Sequence, residues 1–190
     1  QDLEQRDDRD LRGKDDRGEQ DEVDDPVQPE AVARQAMRRH GADQGHQVVI
    51  HARNSERGRY AKQKVPGAEH ILLGDLSDID ETKNVAYQAN ALGRFDAVIH
   101  NAGVYQAPPK EIFIVNIIAP YILTCLIHKP KRLIYLSSSM HLQGHANLEN
   151  FKEDISRISY SDSKLYVLML CMAVARKWSD VYSNAVDPGW

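Results

Sequence analysis

The chain has 190 residues, 42% of them apolar, and a formal net charge of -4, which allows one domain with a real core and excludes two of comfortable size. Residues 1–30 hold 13 Asp/Glu against 5 Lys/Arg and the remainder holds 15 against 19; the mildly basic part has no clustered Lys/Arg stripe, which argues against nucleic-acid binding. The two cysteines, Cys125 and Cys171, sit in apolar runs without partners at metal-ligand spacing, so they imply neither a disulfide frame nor a metal site and read as small buried hydrophobes.

Residues 1–30 contain only Leu3, Leu11, Val23 and Val27 as aliphatic side chains, too little apolar area to offset about 1–2 kcal/mol per residue of backbone ordering. A disordered charged segment is expected there, with a folded unit over residues 31–190. From Glu30 to His40, Val32, Ala33, Ala36 and Met37 recur near helical spacing and glycines follow, so a short helix is expected. Beyond it, Gln47–His51, His70–Leu73, Asp96–His100, Arg132–Leu136 and Tyr182–Val186 read as strands. Glu81–Leu92, Lys110–Ile127 and Tyr160–Trp178 read as helices. Continuous apolar strands alternating with helices predict a doubly wound parallel α/β sheet covered on both faces. The longest apolar stretch, Ile112–Ile127, is interrupted by Asn116, Pro120 and Thr124 and falls short of the roughly 20 residues of a membrane span. With no basic-then-apolar signal peptide at the start, a soluble cytoplasmic setting is expected.

Two motifs lie at strand ends and a third opens a helix. Ile99-His100 runs into Asn101-Ala102-Gly103, where a glycine lets backbone approach a ligand closely. Leu136 is followed by Ser137, Ser138 and Ser139, and Tyr160 and Lys164 stand four apart at the start of a later helix. Four-residue spacing puts phenol and ammonium on one helix face, where the positive charge favours the ionised phenol and makes Tyr160 a candidate proton donor. Tyr60 and Lys64 share that spacing, but no hydroxyl-tipped strand precedes them.

Taken in order, Asn101–Gly103, the serine-tipped strand, Tyr160/Lys164 and Asp187-Pro188-Gly189 resemble the short-chain dehydrogenase/reductase family over about Gly45 to Trp190. The resemblance implies a Rossmann-like fold and an oxidoreductase interconverting a small-molecule carbonyl and an alcohol. It assigns Tyr160 as proton donor, Ser138 as the group orienting the carbonyl, with Ser139 as the other alignment, Lys164 as ribose and tyrosine partner, and Asn116 as positioner of a relay water. It places Arg53, Asp75, Asn101, Ala102, Gly103, Lys164, Pro188 and Gly189 at the cofactor. Asp75 resembles the adenine-contacting acid, and a basic Arg53 after the second family strand points to NADP in preference to NAD. Family members are often dimers or tetramers, so a homo-oligomer is expected.

The family's first strand and glycine-rich loop should precede Gln47. Instead that stretch supplies Gly18, Gly41 and Gly45, with prolines and carboxylates around Val23–Glu30 that a central strand cannot hold. In the family order 3-2-1-4-5-6-7 the absent strand is the middle one, which leaves a gap of about 10 Å between the Gln47 and Asp96 strands. The expectation is a reductase core joined to an unrelated segment just before Gly45 and stopping short of the substrate-covering region. The alternative is a catalytically silent relative that binds a nucleotide or a partner.

Overall fold

The computed structural model describes residues 44–148 and 155–189; the charged segment and the helix expected at Glu30–His40 lie outside them. In chain order the elements are β1 (Val48–Ala52), α1 (Ser55–Lys64), β2 (Ala68–Leu73), α2 (Ile79–Ala91), β3 (Ala97–His100), α3 (Pro109–Leu126), β4 (Arg132–Leu136), α4 (Tyr160–Lys177) and β5 (Tyr182–Val186). A 3-10 turn, Ser139–Gln143, leaves β4, and a second, Ile155–Arg157, leads into α4.

All strand pairs are parallel, but they form two sheets, β1-β2 and β3-β4-β5. Among the described residues no ladder joins β1 to β3. In one core Val49 of β1 and Leu72 of β2 pack with Val85 and Ala89 of α2, Val115 and Ala119 of α3, and Phe95 before β3. His46, ahead of β1, also contributes to the lowered pKa of Asp96, ahead of β3, although Lys131 is the main cause.

Strand alternation decides what each face meets. Val48 and Ile50 turn to α1, where Ala61, Val65 and Ala68 close a small core. Gly58 allows α1 that approach, since a Cβ there would stand 3.2 Å from both Ile71 and Leu73 side-chain carbons. Leu133 and Tyr135 turn to α4 and pack on Val167, Cys171 and Val174. Among the described residues the other face of β3-β4-β5 leaves Ile99 45%, Tyr182 68% and Val186 37% exposed. One expectation is corrected: Cys125 is exposed, whereas Cys171 is buried as expected.

α3 is long and apolar enough, by length and composition, to pass for a membrane span. Its apolarity serves two cores: Val115 and Ala119 in one, Ile112 and Ile117 in another with Tyr160 and Tyr166 of α4. The middle of α3, Phe113–Ile118, is π-helical, a distortion common at functional sites. Pro120 adds to it, having no N–H to offer the Asn116 carbonyl four residues back.

Candidate active site

The carboxyl ends of the parallel strands carry the site. Asn116, 2% exposed, is turned by the π-helical segment onto the loop after β3. Its Oδ1 accepts from the Val104 N–H at 2.8 Å and its Nδ2 donates to the Val104 carbonyl at 2.9 Å. The same Nδ2 donates to Ser163 Oγ at 3.0 Å, and the fully buried Ser163 hydroxyl donates to the Tyr160 carbonyl at 2.7 Å. One amide thereby fixes the loop after Asn101-Ala102-Gly103 and, through Ser163, the first turn of α4. Gly103 permits that approach, since a Cβ would lie 3.3 Å from Asn116 Oδ1 and 3.8 Å from Lys164 Nζ.

α4 begins with a full capping box. Ser159 Oγ accepts from the Asp162 N–H, and Asp162 accepts from the Ser159 N–H at 2.9 Å. Asp162 also accepts from the His145 N–H at 2.7 Å, pinning the segment after β4 to the helix start. Burial alone would raise the Asp162 pKa; the hydrogen bonds from His145 and Ser159 outweigh it and hold the carboxyl below its ordinary value.

From this first turn Tyr160 and Lys164 project together, both buried, with Lys164 Nζ 5.2 Å from the Tyr160 ring centroid and donating to the Leu136 carbonyl at 2.9 Å. Ser137 Oγ reaches the Lys164 carbonyl at 3.4 Å, so the tip of β4 is tied to the same helix turn. Ser138, also buried, accepts at Oγ from the Met140 N–H at 3.3 Å. Its carbonyl accepts from both the N–H and Nδ1 of His141, at 3.0 and 2.6 Å. Ser139, the other candidate in the serine run, is exposed.

Behind the site, His100 stacks on Tyr135, 4.7 Å between centroids, and shares Thr124 Oγ1 with it, at 3.2 Å and 2.8 Å. Burial pushes the His100 pKa down to about 4 and that of Tyr135 up to about 12. Sequence reasoning missed this trio and Ser163; for Ser163 the available signal is its place between Tyr160 and Lys164.

The remaining candidates are spread along the strand ends. Arg53 and Asp75 follow β1 and β2 and approach each other at 3.9 Å, with Arg53 59% exposed. Burial would raise the Asp75 pKa, but hydrogen bonds from Ser77 and the charges of Arg53 and His51 hold it low. Pro188 and Gly189 follow β5, where the Gly189 N–H donates to Asp187 at 3.1 Å and Gly189 takes φ 65°, a conformation glycine adopts freely.

Arg53 and Asp75 thus lie at the ends of β1 and β2, whereas Gly103 lies beside Lys164 after β3, close in sequence to Asn101, whose buried Oδ1 has no hydrogen-bond partner among the described residues. No glycine-rich pyrophosphate loop lies among the described residues.

A parallel α/β unit with Ser, Tyr, Lys and Asn converging at its strand ends belongs to the nucleotide-binding class of fold. The comparisons narrow that class. The short chain dehydrogenase family model matches residues 34–127. An uncharacterized oxidoreductase of Emericella nidulans is 47% identical over 161 residues, covering 78% of this chain and 62% of that protein. A short-chain dehydrogenase of Penicillium rubens is 38% identical over 162 residues, covering 78% and 63%. Among solved structures, a short-chain dehydrogenase from Sphingobium yanoikuyae in complex with NADPH superposes with a TM-score of 0.60 at 18% identity, over 82% of this chain and 65% of that one. One from Streptomyces avermitilis gives 0.64 at 18%, over 83% and 60%; at such identities the likeness is one of fold. The chain belongs to the short-chain dehydrogenase/reductase family, and it spans about three-fifths of the length of these relatives. The family match starts at residue 34, so the boundary expected just before Gly45 moves toward the N-terminus.

Proposed function

We propose that the chain carries the reaction centre of an NADP(H)-dependent oxidoreductase that interconverts a small-molecule carbonyl and an alcohol. The supporting observation is the interlock of Asn116, Ser163, Tyr160 and Lys164 around Gly103, which holds a proton donor and an ammonium together at a ligand crevice. In the reduction direction the Tyr160 phenol gives its proton to the substrate oxygen. The Lys164 ammonium beside the ring stabilises the phenolate left behind. Ser138 Oγ accepts from the Met140 N–H, which leaves its own proton available to the same substrate oxygen. The side chain of Asn116 is spent on Val104 and Ser163; a relay water at this residue would use its carbonyl. Bound at these strand ends, the nicotinamide cofactor supplies or takes the hydride. Arg53 would meet a ribose 2′-phosphate and favour NADP over NAD, with Asp75 at the adenine and Asn101, Ala102, Gly103, Pro188 and Gly189 lining the rest. The setting we propose is cytoplasmic, with self-association through the family's usual helices.

A catalytically silent nucleotide- or partner-binding protein is the second function. It is favoured by one observation, that the described residues include neither a pyrophosphate loop nor a strand joining β1 to β3. Calorimetric titration of the purified chain with NADPH and NADH separates the two. Saturable binding that prefers NADPH is expected, and no binding at millimolar cofactor refutes the first function for this chain.

A further inference from the structure

His141 has no place in the chemistry above, yet it is joined to Ser138 twice. The Ser138 carbonyl accepts from the His141 backbone N–H at 3.0 Å and lies 2.6 Å from the ring Nδ1. A carbonyl oxygen only accepts, so the proton of the ring bond sits on Nδ1, and Nε2 carries the lone pair whenever the ring is neutral. The 3-10 turn Ser139–Gln143 is already closed by backbone, through that N–H and through the Gly144 N–H, which donates to the His141 carbonyl at 3.1 Å. The ring bond is therefore an addition to the turn and not a condition of it. The turn is seated on the helix of the proton donor: a Cβ on Gly144 would stand 2.6 Å from the Ser161 carbonyl and 2.9 Å from Leu165 Cβ, so backbone lies directly against the start of α4, where Tyr160 stands.

We infer that His141 is a positioning residue of this site, whose Nδ1–H holds Ser138 in place relative to Tyr160. The inference rests on the proposed meeting of Ser138 and Tyr160 at one substrate oxygen. His141 stands between the two, with its own carbonyl holding Gly144 against α4 and its ring holding Ser138. Fixing the Ser138 carbonyl fixes the backbone from which the buried hydroxyl projects, and the Met140 N–H, donating to Oγ at 3.3 Å, then orients the hydroxyl itself. Without the ring the backbone bonds still form the turn, but the Ser138 peptide keeps one restraint where it had two, and small misplacements of a reacting group are costly in rate.

Two measurements on the full chain test this. The first, independent of turnover, is a long-range proton–nitrogen NMR spectrum of the imidazole rings, with the pH raised until the ring signals stop moving and His141 assigned as the signal that His141→Asn removes. A protonated Nδ1 and a bare Nε2 are expected; the opposite tautomer overturns the inference. The Ser138 carbonyl-carbon resonance should move in His141→Leu and return in His141→Asn, whose side-chain N–H replaces Nδ1–H; a resonance that stays put in the leucine variant also overturns it. The second is NADPH oxidation with para-nitrobenzaldehyde as the probe carbonyl. His141→Leu should lower kcat about tenfold, the worth of one hydrogen bond, with KM within about twofold. His141→Asn should restore most of that loss, whereas His141→Gln, one carbon longer, should not. An unchanged kcat in His141→Leu, or equal losses in all three variants, overturns the inference. If wild type leaves the probe untouched, the oxidoreductase function falls for this chain, and the spectra alone decide whether His141 holds Ser138.

Discussion

The two sheets carry their functional residues in opposite ways. At the ends of β3 and β4 the buried polar groups, Asn101 Oδ1 apart, are answered: Asn116 makes three hydrogen bonds, Ser163 is fully enclosed, and His100, Thr124 and Tyr135 form a closed trio. At the ends of β1 and β2, Arg53 and Asp75 meet at 3.9 Å with Arg53 mostly in water. Buried polar groups rigidify a site when all are satisfied and are costly to disturb, whereas exposed charges contribute little to stability and act through the ligand they meet. The proposed chemistry therefore sits on the half whose polar side chains are buried, and the proposed cofactor selection on the half whose charged pair is exposed.

The largest separation should come from Tyr160→Phe. Removing the phenolic proton should lower carbonyl reduction about a thousandfold, within the usual range for one general acid, while NADPH affinity measured by calorimetry stays within about twofold. Turnover unchanged by this substitution would take the proton donor away from the reaction half. Next, Asn116→Ala strands the part-buried Val104 N–H and carbonyl, while Ser163 keeps its bond to the Tyr160 carbonyl. At roughly 1 kcal/mol or more for each orphaned group, a loss of about 2–3 kcal/mol is expected in urea denaturation. A loss below about 1 kcal/mol would mean that water replaces the amide and that the half is less closed than its burial indicates.

Acid should distinguish the halves as well. His100 has its pKa lowered from 6.5 to about 4 by burial, so the folded state holds it neutral while the unfolded chain takes up a proton. The stability this provides is fully present above the unfolded pKa of 6.5 and drains away as pH falls toward the folded value near 4. By linkage the loss reaches about 3 kcal/mol. The same denaturation series repeated for His100→Gln should show a flatter profile across that window; an unchanged profile would assign the acid sensitivity to other groups.

Where partners are near in sequence or fixed by strand period, the sequence was enough. β4 and β5 have the predicted limits, and the other strands start or end within two residues of theirs, because short β-rich runs announce themselves. α1 escaped because Ser55–Lys64 is charged on nearly every side and buries only Gly58; it is held by the Asn54 cap and by the close approach of Gly58 to β2, neither of which leaves a hydrophobic period. Tyr160 and Lys164 were legible as neighbours on one helix. The Asn116–Ser163 bond spans 47 residues and the Thr124–His100 bond 24, separations at which only the folded chain shows who meets whom. Among the described residues the face of β3 that carries Ile99 is open, which an apolar run by itself does not reveal.

The smallest expected change in stability lies in the other half. Arg53→Ala removes a guanidinium that is 59% exposed and only loosely paired with Asp75, so unfolding free energy should shift by no more than about 0.5 kcal/mol. If Arg53 receives a 2′-phosphate, the same substitution should cut the preference for NADPH over NADH about tenfold, the worth of one charge-assisted hydrogen bond, and leave NADH affinity nearly unchanged. Paired titrations with the two cofactors make the distinction without any need for turnover. Equal losses for both cofactors would mean that Arg53 acts by holding Asp75 in place. A stability loss above about 1 kcal/mol would mean instead that the β1-β2 half depends on this ion pair, and the contrast with the buried half would disappear.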